Sequence, residues 1–238
     1  LARMSELFDM KPRYLKAHKD NALNIIRLGL PSGLTQAIFS LAMIMVQSLT
    51  NSFGEMLIAA NVIIMRVDGF AMMPNFSFGT TMTTYAGQNV GAGKLDRIKA
   101  GLKSSSIIGC IYAVIAFLIL VFFSDKIALL FMDAGETETI RQVSMFLIAN
   151  SAFYIPLVFV NVVRFTIQGM GYSTFAILAG VFEMAARGLA GLVLVPAFGY
   201  IAACFGSPLA WIFADIFLFP AFFHCLKTMK RELKEAKQ

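Results

Sequence analysis

Residues 104–124 of the chain read SSSIIGCIYAVIAFLILVFFS, and no charged side chain interrupts this run. A helix of about 20 apolar residues, rising about 1.5 Å per residue, crosses the hydrocarbon core of a bilayer. Similar charge-free runs occupy residues 28–54, 69–93, 142–163, 165–182 and 188–214. The pattern predicts an all-α polytopic membrane protein with six spans, at about 24–50, 57–88, 105–123, 142–167, 174–195 and 200–226.

The composition agrees with this prediction. Of the 238 residues, 58% are hydrophobic and only 14% are charged, whereas soluble domains carry about 25% charged residues. This excludes a soluble globule and a disordered chain. Three widely spaced cysteines, Cys110, Cys204 and Cys225, favour neither a disulfide framework nor a zinc site.

The basic residues are segregated along the chain. Six Lys or Arg residues lie in residues 1–27, four in residues 94–103 and five in residues 227–237, whereas the loops at 51–56 and 124–141 are mainly acidic. By the positive-inside rule, both ends of the segment are expected in the cytoplasm of a cell whose plasma membrane holds the spans. The net charge of +6 is therefore attributed to membrane topology, and no nucleic-acid partner is expected.

Three regions follow from this distribution. Residues 1–22 are predicted to be a cytoplasmic connector that follows an earlier set of helices, because the chain starts at Leu1 and its first 20 residues are rich in charge. Residues 23–226 form the predicted six-helix lobe, and residues 227–238 form a basic cytoplasmic tail. The charge-free run at 188–214 must contain a turn between the fifth and sixth spans, and the residues expected to form it are Pro196, Gly199, Gly206 and Pro208.

The second predicted span ends in the segment MMPNFSFGTTMTTYAGQNVGAGKLDRIKAG, residues 72–101. Pro74 predicts a kink, since proline removes a helix hydrogen bond. Gly79, Thr80, Thr83, Thr84, Gly87 and Gly91 predict a face of small residues for close helix packing. Gly93 is expected to end the helix. The GAGK sequence is not a phosphate loop, because Gln88 and Leu95 replace the required Gly and Ser or Thr.

This segment resembles the multidrug and toxic compound extrusion (MATE) family. The residues that carry the resemblance are Pro74, Gly79, Gly87, Gln88, Asn89, Val90, Gly91, Ala92, Gly93 and Lys94, with further matches at Leu30-Pro31, residues 168–173 and residues 206–211. The resemblance implies the C-terminal six-helix lobe of a twelve-helix transporter. Its partner would be an N-terminal lobe, and substrate would bind between the two lobes near mid-membrane.

The resemblance also implies a function, which is the export of organic, often cationic, compounds in exchange for H⁺ or Na⁺ by alternating access. No covalent chemistry, cofactor or metal site is expected, and membrane lipid and small organic substrates are the expected partners. Family members carry acidic residues in the first and fourth helices of this lobe to bind the coupling ion. Phe39, Ser40 and Asn150 stand at the nearest positions here, so the coupling site is expected either in the N-terminal lobe or at Asp68 or Glu183 of this one.

Six ionisable residues fall within the predicted spans: Arg66, Asp68, Arg164, Glu183, Arg187 and Asp215. A lone charge at the bilayer centre costs about 2.5–3.5 kcal/mol, so they should pair or line an aqueous cavity. Glu183 and Arg187 are four residues apart, which predicts an ion pair on one helix. Arg66 and Asp68 cannot pair with each other, and one hypothesis joins both to that pair in a single network.

The remaining ionisable residues have simpler interpretations. Arg164 lies near the inner end of its span and is expected to extend to the lipid headgroups. Asp215 is expected to be either a protonated acid bonded to another helix or part of an ion path.

Uncharged polar residues in the first, second and fourth spans are the substrate-cavity candidates: Gln36, Ser40, Gln47, Asn61, Asn75, Asn150 and Asn161. They could equally bond one helix to another. Two other functions stay open. A lipid-linked oligosaccharide flippase would need a cationic cavity, for which Arg66 and Arg187 are available, and a non-transporting membrane scaffold should lack buried charge and mid-span proline.

The charge distribution makes a topology prediction. With Cys110, Cys204 and Cys225 replaced by Ala, a new cysteine at Lys99 should react with a membrane-impermeant maleimide only after the cells are opened. A cysteine at Glu138 should react in intact cells, because the acidic loop is expected outside. Labelling from the opposite sides would reject the assigned orientation.

Overall fold

The computed structural model describes the backbone of residues 19–51, 55–131 and 135–235, and only some of the side chains before residue 62. Nine helical segments follow one another in this part of the chain, with no strand: α1 Lys19–Asn51, α2 Glu55–Gly91, α3 Leu95–Ala128, α4 Thr137–Ser151, α5 Tyr154–Gly169, α6 Ser173–Leu189, a π-helix Ala190–Leu194, α7 Val195–Phe198 and α8 Tyr200–Glu235. This confirms the all-α prediction, and each predicted span coincides with one or more of these helices. Residues 1–18 of the predicted connector and residues 236–238 of the predicted tail lie outside the described residues.

Within the described ranges, three helical stretches are long and apolar enough to cross a membrane: α3, Ser173–Phe198 and α8. The bent pair α4 and α5 makes a fourth if it is one span. One face of α3 is an uncovered apolar stripe formed by Ile107, Ile108, Ile111, Val114, Ile115, Leu118, Ile119 and Phe122. Such a continuous exposed apolar surface suits contact with lipid chains.

The fourth predicted span is broken. α4 ends at Ser151, α5 starts at Tyr154, and their axes differ by 51°. Pro156 lies in the first turn of α5, where its missing N–H cannot continue the hydrogen-bond ladder from α4. The span predicted at 142–167 therefore contains a break that the sequence analysis did not predict, and Pro156 is the residue that signals it.

The expected turn before the last helix lies at Gly199. This glycine has φ +64°, a left-handed conformation that residues with a Cβ rarely adopt. Gly206 and Pro208, which were also candidates for the turn, lie inside α8. Pro74 likewise lies inside the continuous helix α2.

α2 and α5 pack closely along part of the predicted small-residue face. Thr83 donates its hydroxyl hydrogen to the carbonyl of Phe165, 3.1 Å away, and a Cβ on Gly79 would overlap the ring of that phenylalanine. A Cβ on Gly169 would meet the backbone of Thr83 itself. Gly91 has open space beside it, so its predicted part in the packing face was wrong.

Gly93 ends α2 as predicted. It has φ +67°, and its N–H donates to the carbonyl of Val90 at 2.9 Å while the Lys94 N–H donates to the carbonyl of Asn89 at 2.8 Å. These two bonds form a Schellman cap. The Asn89 side chain donates to the Tyr85 carbonyl at 2.8 Å, and Gln88 is exposed.

A buried charge cluster joins α5 to α6. Arg187 contacts Glu183 at 3.2 Å within α6, as the spacing predicted, and Arg164 of α5 contacts the other carboxylate oxygen of Glu183. All three side chains are buried. The expectation that Arg164 extends to the headgroups was therefore wrong, because Glu183 provides a charge partner that offsets the cost of leaving water.

The segment after α2 and the last helix meet at one end of the bundle. Lys230 of α8 contacts Asp96, at the start of α3, at 2.7 Å. Both side chains are largely exposed. The hydrogen bond and the positive charge of Lys230 lower the pKa of the Asp96 carboxyl below its ordinary value. The predicted basic loop and the basic tail therefore lie at the same end of the lobe.

The close α2–α5 contact predicts a specific sensitivity at Gly169. The G169A variant should lose about 1–3 kcal/mol of unfolding free energy, because the added Cβ forces the two backbones apart. The G91A variant is the matched control and should be neutral or slightly stabilising, since its Cβ meets no atom. Thermal unfolding of the purified protein measures both, and equal melting temperatures for the two variants would contradict the packing argument.

The charge cluster predicts a large effect at Glu183. The E183Q variant should lose about 3–5 kcal/mol of unfolding free energy, because it removes the buried carboxylate that pairs with both Arg164 and Arg187. The E235Q variant removes an exposed ion pair with Arg231 and should change it by less than about 1 kcal/mol. Unfolding of both purified variants tests this, and similar stabilities would show that the buried cluster carries little energy.

Candidate functional site

Asp68 of α2 lies against the break between α4 and α5. One carboxylate oxygen accepts a hydrogen bond from the Asn150 amide at 2.7 Å, and the other accepts one from the Tyr154 hydroxyl at 2.5 Å. Asn150 is in the last turn of α4 and Tyr154 is the first residue of α5. The helix break thus brings two donors from successive helices to one carboxylate. We call Asp68, Asn150 and Tyr154 the Asp68 site.

The electrostatics of this site differ from those of the charge cluster. Both partners of Asp68 are neutral, and in the part of the chain that the structure describes no Lys or Arg lies within ion-pair distance of it. Neutral donors stabilise a carboxylate without cancelling its charge. In a low-dielectric interior, such a group is well suited to gaining and losing a proton or a monovalent cation.

An oxygen ligand is also available for a cation. The Asn150 side-chain oxygen is buried and has no hydrogen-bond partner among the described residues. A carboxylate, an amide oxygen and a phenol oxygen are hard ligands of the type that alkali and alkaline-earth cations prefer. The site could therefore hold either a proton on Asp68 or a small cation beside it.

Arg66 and Asp68 point in different directions, as predicted. Arg66 is exposed, whereas Asp68 is half-buried and turned toward α4 and α5. The hypothesis of a single network was wrong for the described residues, because Asp68 contacts Asn150 and Tyr154 and not Glu183. The two residues are about 200° apart around α2, so one helix orientation cannot bury both.

Asp215 of α8 lies beside the charge cluster. It interacts electrostatically with Arg164 and Glu183, and its Oδ1 is buried with no hydrogen-bond partner in the described ranges. No cation near Asp215 was predicted from the neighbouring sequence, because Arg164 comes from a different helix. Two arginines, Arg164 and Arg187, thus lie near two acids, Glu183 and Asp215. The net charge of the four residues is zero when both acids are ionised.

The predicted cavity residues do not share one surface. Gln36 and Ser40 are exposed on α1, and the Ser40 hydroxyl donates to the Gln36 carbonyl at 3.0 Å. Asn75 and Asn150 are buried inside the lobe. Asn161 is half-buried and donates to the Leu157 carbonyl of its own helix, 2.9 Å away. The side chains of Gln47 and Asn61 lie outside the described residues.

A polar stripe runs along the exposed side of α2, opposite Asp68. Ser77, Thr80, Thr84 and Gln88 recur there every three to four positions. Arg66 lies on the same side, separated from Ser77 by the exposed apolar side chains of Phe70 and Met73. Polar side chains within a membrane seldom face lipid and usually face a partner or an aqueous cavity. α2 thus presents the Asp68 carboxylate inside the lobe and a polar stripe on its outer side.

Two kinds of known protein resemble this chain. The probable multidrug resistance protein YoeA of Bacillus subtilis (strain 168) is 30% identical over 125 residues, which are 52% of this chain and 27% of YoeA. An outward-facing multidrug resistance MATE family transporter of the MOP superfamily superposes with a TM-score of 0.85 at 18% identity. The Vibrio cholerae MATE transporter VcmN in its bent form superposes with a TM-score of 0.82 at 17% identity.

The matches are extensive in this chain and partial in the relatives. The superpositions cover 93% and 92% of this chain and 50% of each solved structure, so the chain spans about half the length of those transporters. Their low identity establishes the shared fold. The MatE family profile matches residues 31–191, which include α2, the Asp68 site and the charge cluster, and the chain therefore belongs to the MatE family.

Proposed function

We propose that this chain is one lobe of a secondary active exporter that moves organic, often cationic, compounds out of the cell in exchange for H⁺ or Na⁺. The observation that carries the proposal is the Asp68 site, where a carboxylate with neutral partners lies at a break in a membrane helix. Transporters commonly bind coupling ions at such interrupted helices. Membership of the MatE family and the similarity to YoeA, a probable multidrug resistance protein, support the substrate class.

Asp68 is the proposed coupling acid. The family resemblance implies an acid on the fourth helix, where this chain has Asn150, and the amide of Asn150 donates to Asp68. Asp68 therefore provides a carboxylate directly across the α2–α4 contact from the position at which the resemblance implies an acid. Binding of H⁺ or Na⁺ removes a buried charge and so shifts the balance between two conformations of the transporter.

The proposed partner is an N-terminal six-helix lobe. The polar stripe on α2, together with Gln36 and Ser40 on α1, would line the cavity between the lobes. Some hydroxyl groups of the polar stripe already donate a hydrogen bond within α2, since Ser77 donates to the Met73 carbonyl at 3.0 Å. Weakly polar walls of this kind accept varied amphipathic substrates without demanding one hydrogen-bond pattern.

A lipid-linked oligosaccharide flippase is the second candidate, because Arg66 is exposed on the same side of α2 as the polar stripe and could contact a pyrophosphate. Arg187, the other arginine available to that function, is buried against Glu183. One exposed arginine makes a weaker anion site than a cluster does. This difference favours the exporter.

The proposed location is the plasma membrane, with both ends of the segment in the cytoplasm. The contact between Lys230 and Asp96 supports this, because it holds the basic residues that follow α2 and those of α8 at one end of the lobe. The positive-inside rule then assigns that end to the cytoplasm.

The coupling role predicts that Asp68→Asn abolishes ion-driven export. Full-length protein in cells without endogenous pumps should lose its drug resistance, and in proteoliposomes transport should fall at least about tenfold under either a pH or a Na⁺ gradient. The two gradients applied separately identify the ion. Asp96→Asn, which changes an exposed acid at the end of the bundle, should transport normally.

Equal membrane abundance of the two variants excludes a folding defect as the cause. Transport by Asp68→Asn with an unchanged response to both gradients would reject Asp68 as the coupling acid. Retained transport that no longer responds to an ion gradient would instead confirm the coupling role directly.

A further inference from the structure

Asn75 is a buried amide without a protein partner. Its side chain is 0% exposed, and neither its nitrogen nor its oxygen has a hydrogen-bond partner among the residues that the structure describes. An unpaired buried polar group of this kind is strongly destabilising. In native proteins such groups are usually satisfied by ordered water when no protein group reaches them.

Asn75 faces the seam between α3 and α5. On one flank of the same face of α2, Phe78 packs edge-on against Tyr112 of α3, with ring centroids 6.3 Å apart. On the other flank, Gly79 lies against Phe165 of α5. Asn75 has a helix angle between those of its two neighbours, so its amide points between the two facing helices.

The seam leads toward the Asp68 site. Asp68 precedes Asn75 by seven residues, which is two helix turns or about 10.5 Å along the same face of α2. Between them, Pro74 has no N–H for the carbonyl of Phe70. At the end of the seam nearest Asp68, the Asn150 side-chain oxygen is a second buried amide atom that lacks a hydrogen-bond partner in the described part of the chain.

The hydroxyl of Tyr112 lies in the same interval. It donates to the Ala71 carbonyl at 2.8 Å, and its oxygen keeps lone pairs that can accept a hydrogen bond. Tyr154 donates to Asp68. The titratable groups that these contacts bring to the seam are thus Asp68, Tyr112 and Tyr154.

We propose that ordered water fills this seam, held by the Asn75 amide, and relays protons to and from Asp68. Water fits because it both donates and accepts, whereas a bound cation would satisfy the Asn75 oxygen and repel its NH₂ group. In the relay each water accepts a proton from one neighbour and passes a proton to the next, so every water ends as water. The net change is that a proton from the aqueous phase is bound to a carboxylate oxygen of Asp68, and the reverse sequence releases it. The relay rests on the proposed role of Asp68, whereas the water site does not.

Hydroxyl-radical footprinting of the full-length transporter tests the water site, because radicals generated from bound water label adjacent side chains. Tyr112 should be labelled in the unaltered protein and labelled several-fold less in Asn75→Leu, which keeps the number and branching of the side-chain heavy atoms and removes both polar atoms. Asn161→Leu is the matched control, since that amide is bonded to its own helix, and it should leave Tyr112 labelling unchanged.

Transport tests the relay. Asn75→Leu should slow transport driven by a pH gradient by at least about tenfold, the scale of a lost proton-transfer step, while substrate affinity stays the same. A higher melting temperature for Asn75→Leu, with unchanged labelling and transport, would overturn the proposal by showing a dry, unpaired amide. Reduced labelling in Asn75→Leu together with normal ion-driven transport by Asp68→Asn would uphold the water site and reject the relay to Asp68.

Discussion

The structure depends on one constraint, which is that a charge among apolar helices must have a partner or be able to lose its charge. Glu183 meets the constraint with two arginines and is thereby fixed in its ionised form as a tie between α5 and α6. Asp68 meets it with an amide and a phenol, which support the charge without cancelling it. The same requirement therefore makes one acid a structural element, and it makes the other the proposed site of proton or ion exchange.

The geometry around Asp68 follows from two local features of the sequence. Pro156 breaks the fourth span, so that Asn150 ends one helix and Tyr154 begins the next at the level of the carboxylate. The absence of a Cβ on Gly169 lets α5 approach the backbone of α2 at Thr83. The tight contact between α5 and α2 at Thr83 limits how far the two helices can separate toward Asp68, where Tyr154 donates to the carboxylate. The glycine and the proline thus act together on a site that contains neither of them.

Local features of this lobe could be predicted from the sequence, and contacts between distant segments could not. Charge-free runs located the helices, Gly93 and Gly199 located turns, and the four-residue spacing predicted the Glu183–Arg187 pair, because each depends on a few neighbouring residues. The partners of Asp68 are more than 80 positions away, and their choice depends on how each helix is rotated about its axis. Arg164 shows the same limit, since depth alone suggested the headgroups and only packing brings it to Glu183. Asn75 was among the predicted cavity residues, but the sequence did not indicate that its amide would face inward without a partner.

α2 has a special place in the proposed exporter because it presents polar groups on two opposite faces. The inner face carries Asp68 and Asn75, and the outer face carries Arg66 and the polar stripe from Ser77 to Gln88. The helix is continuous from Glu55 to Gly91, so a tilt or rotation that alters one face also displaces the other. A change in the charge of Asp68 alters the strength of its bonds to α4 and α5, and therefore the preferred position of α2 against them. Ion binding inside the lobe and substrate contact at its surface then both depend on the position of this single helix. The two events can therefore be coupled without a chain of contacting residues that connects the two sites.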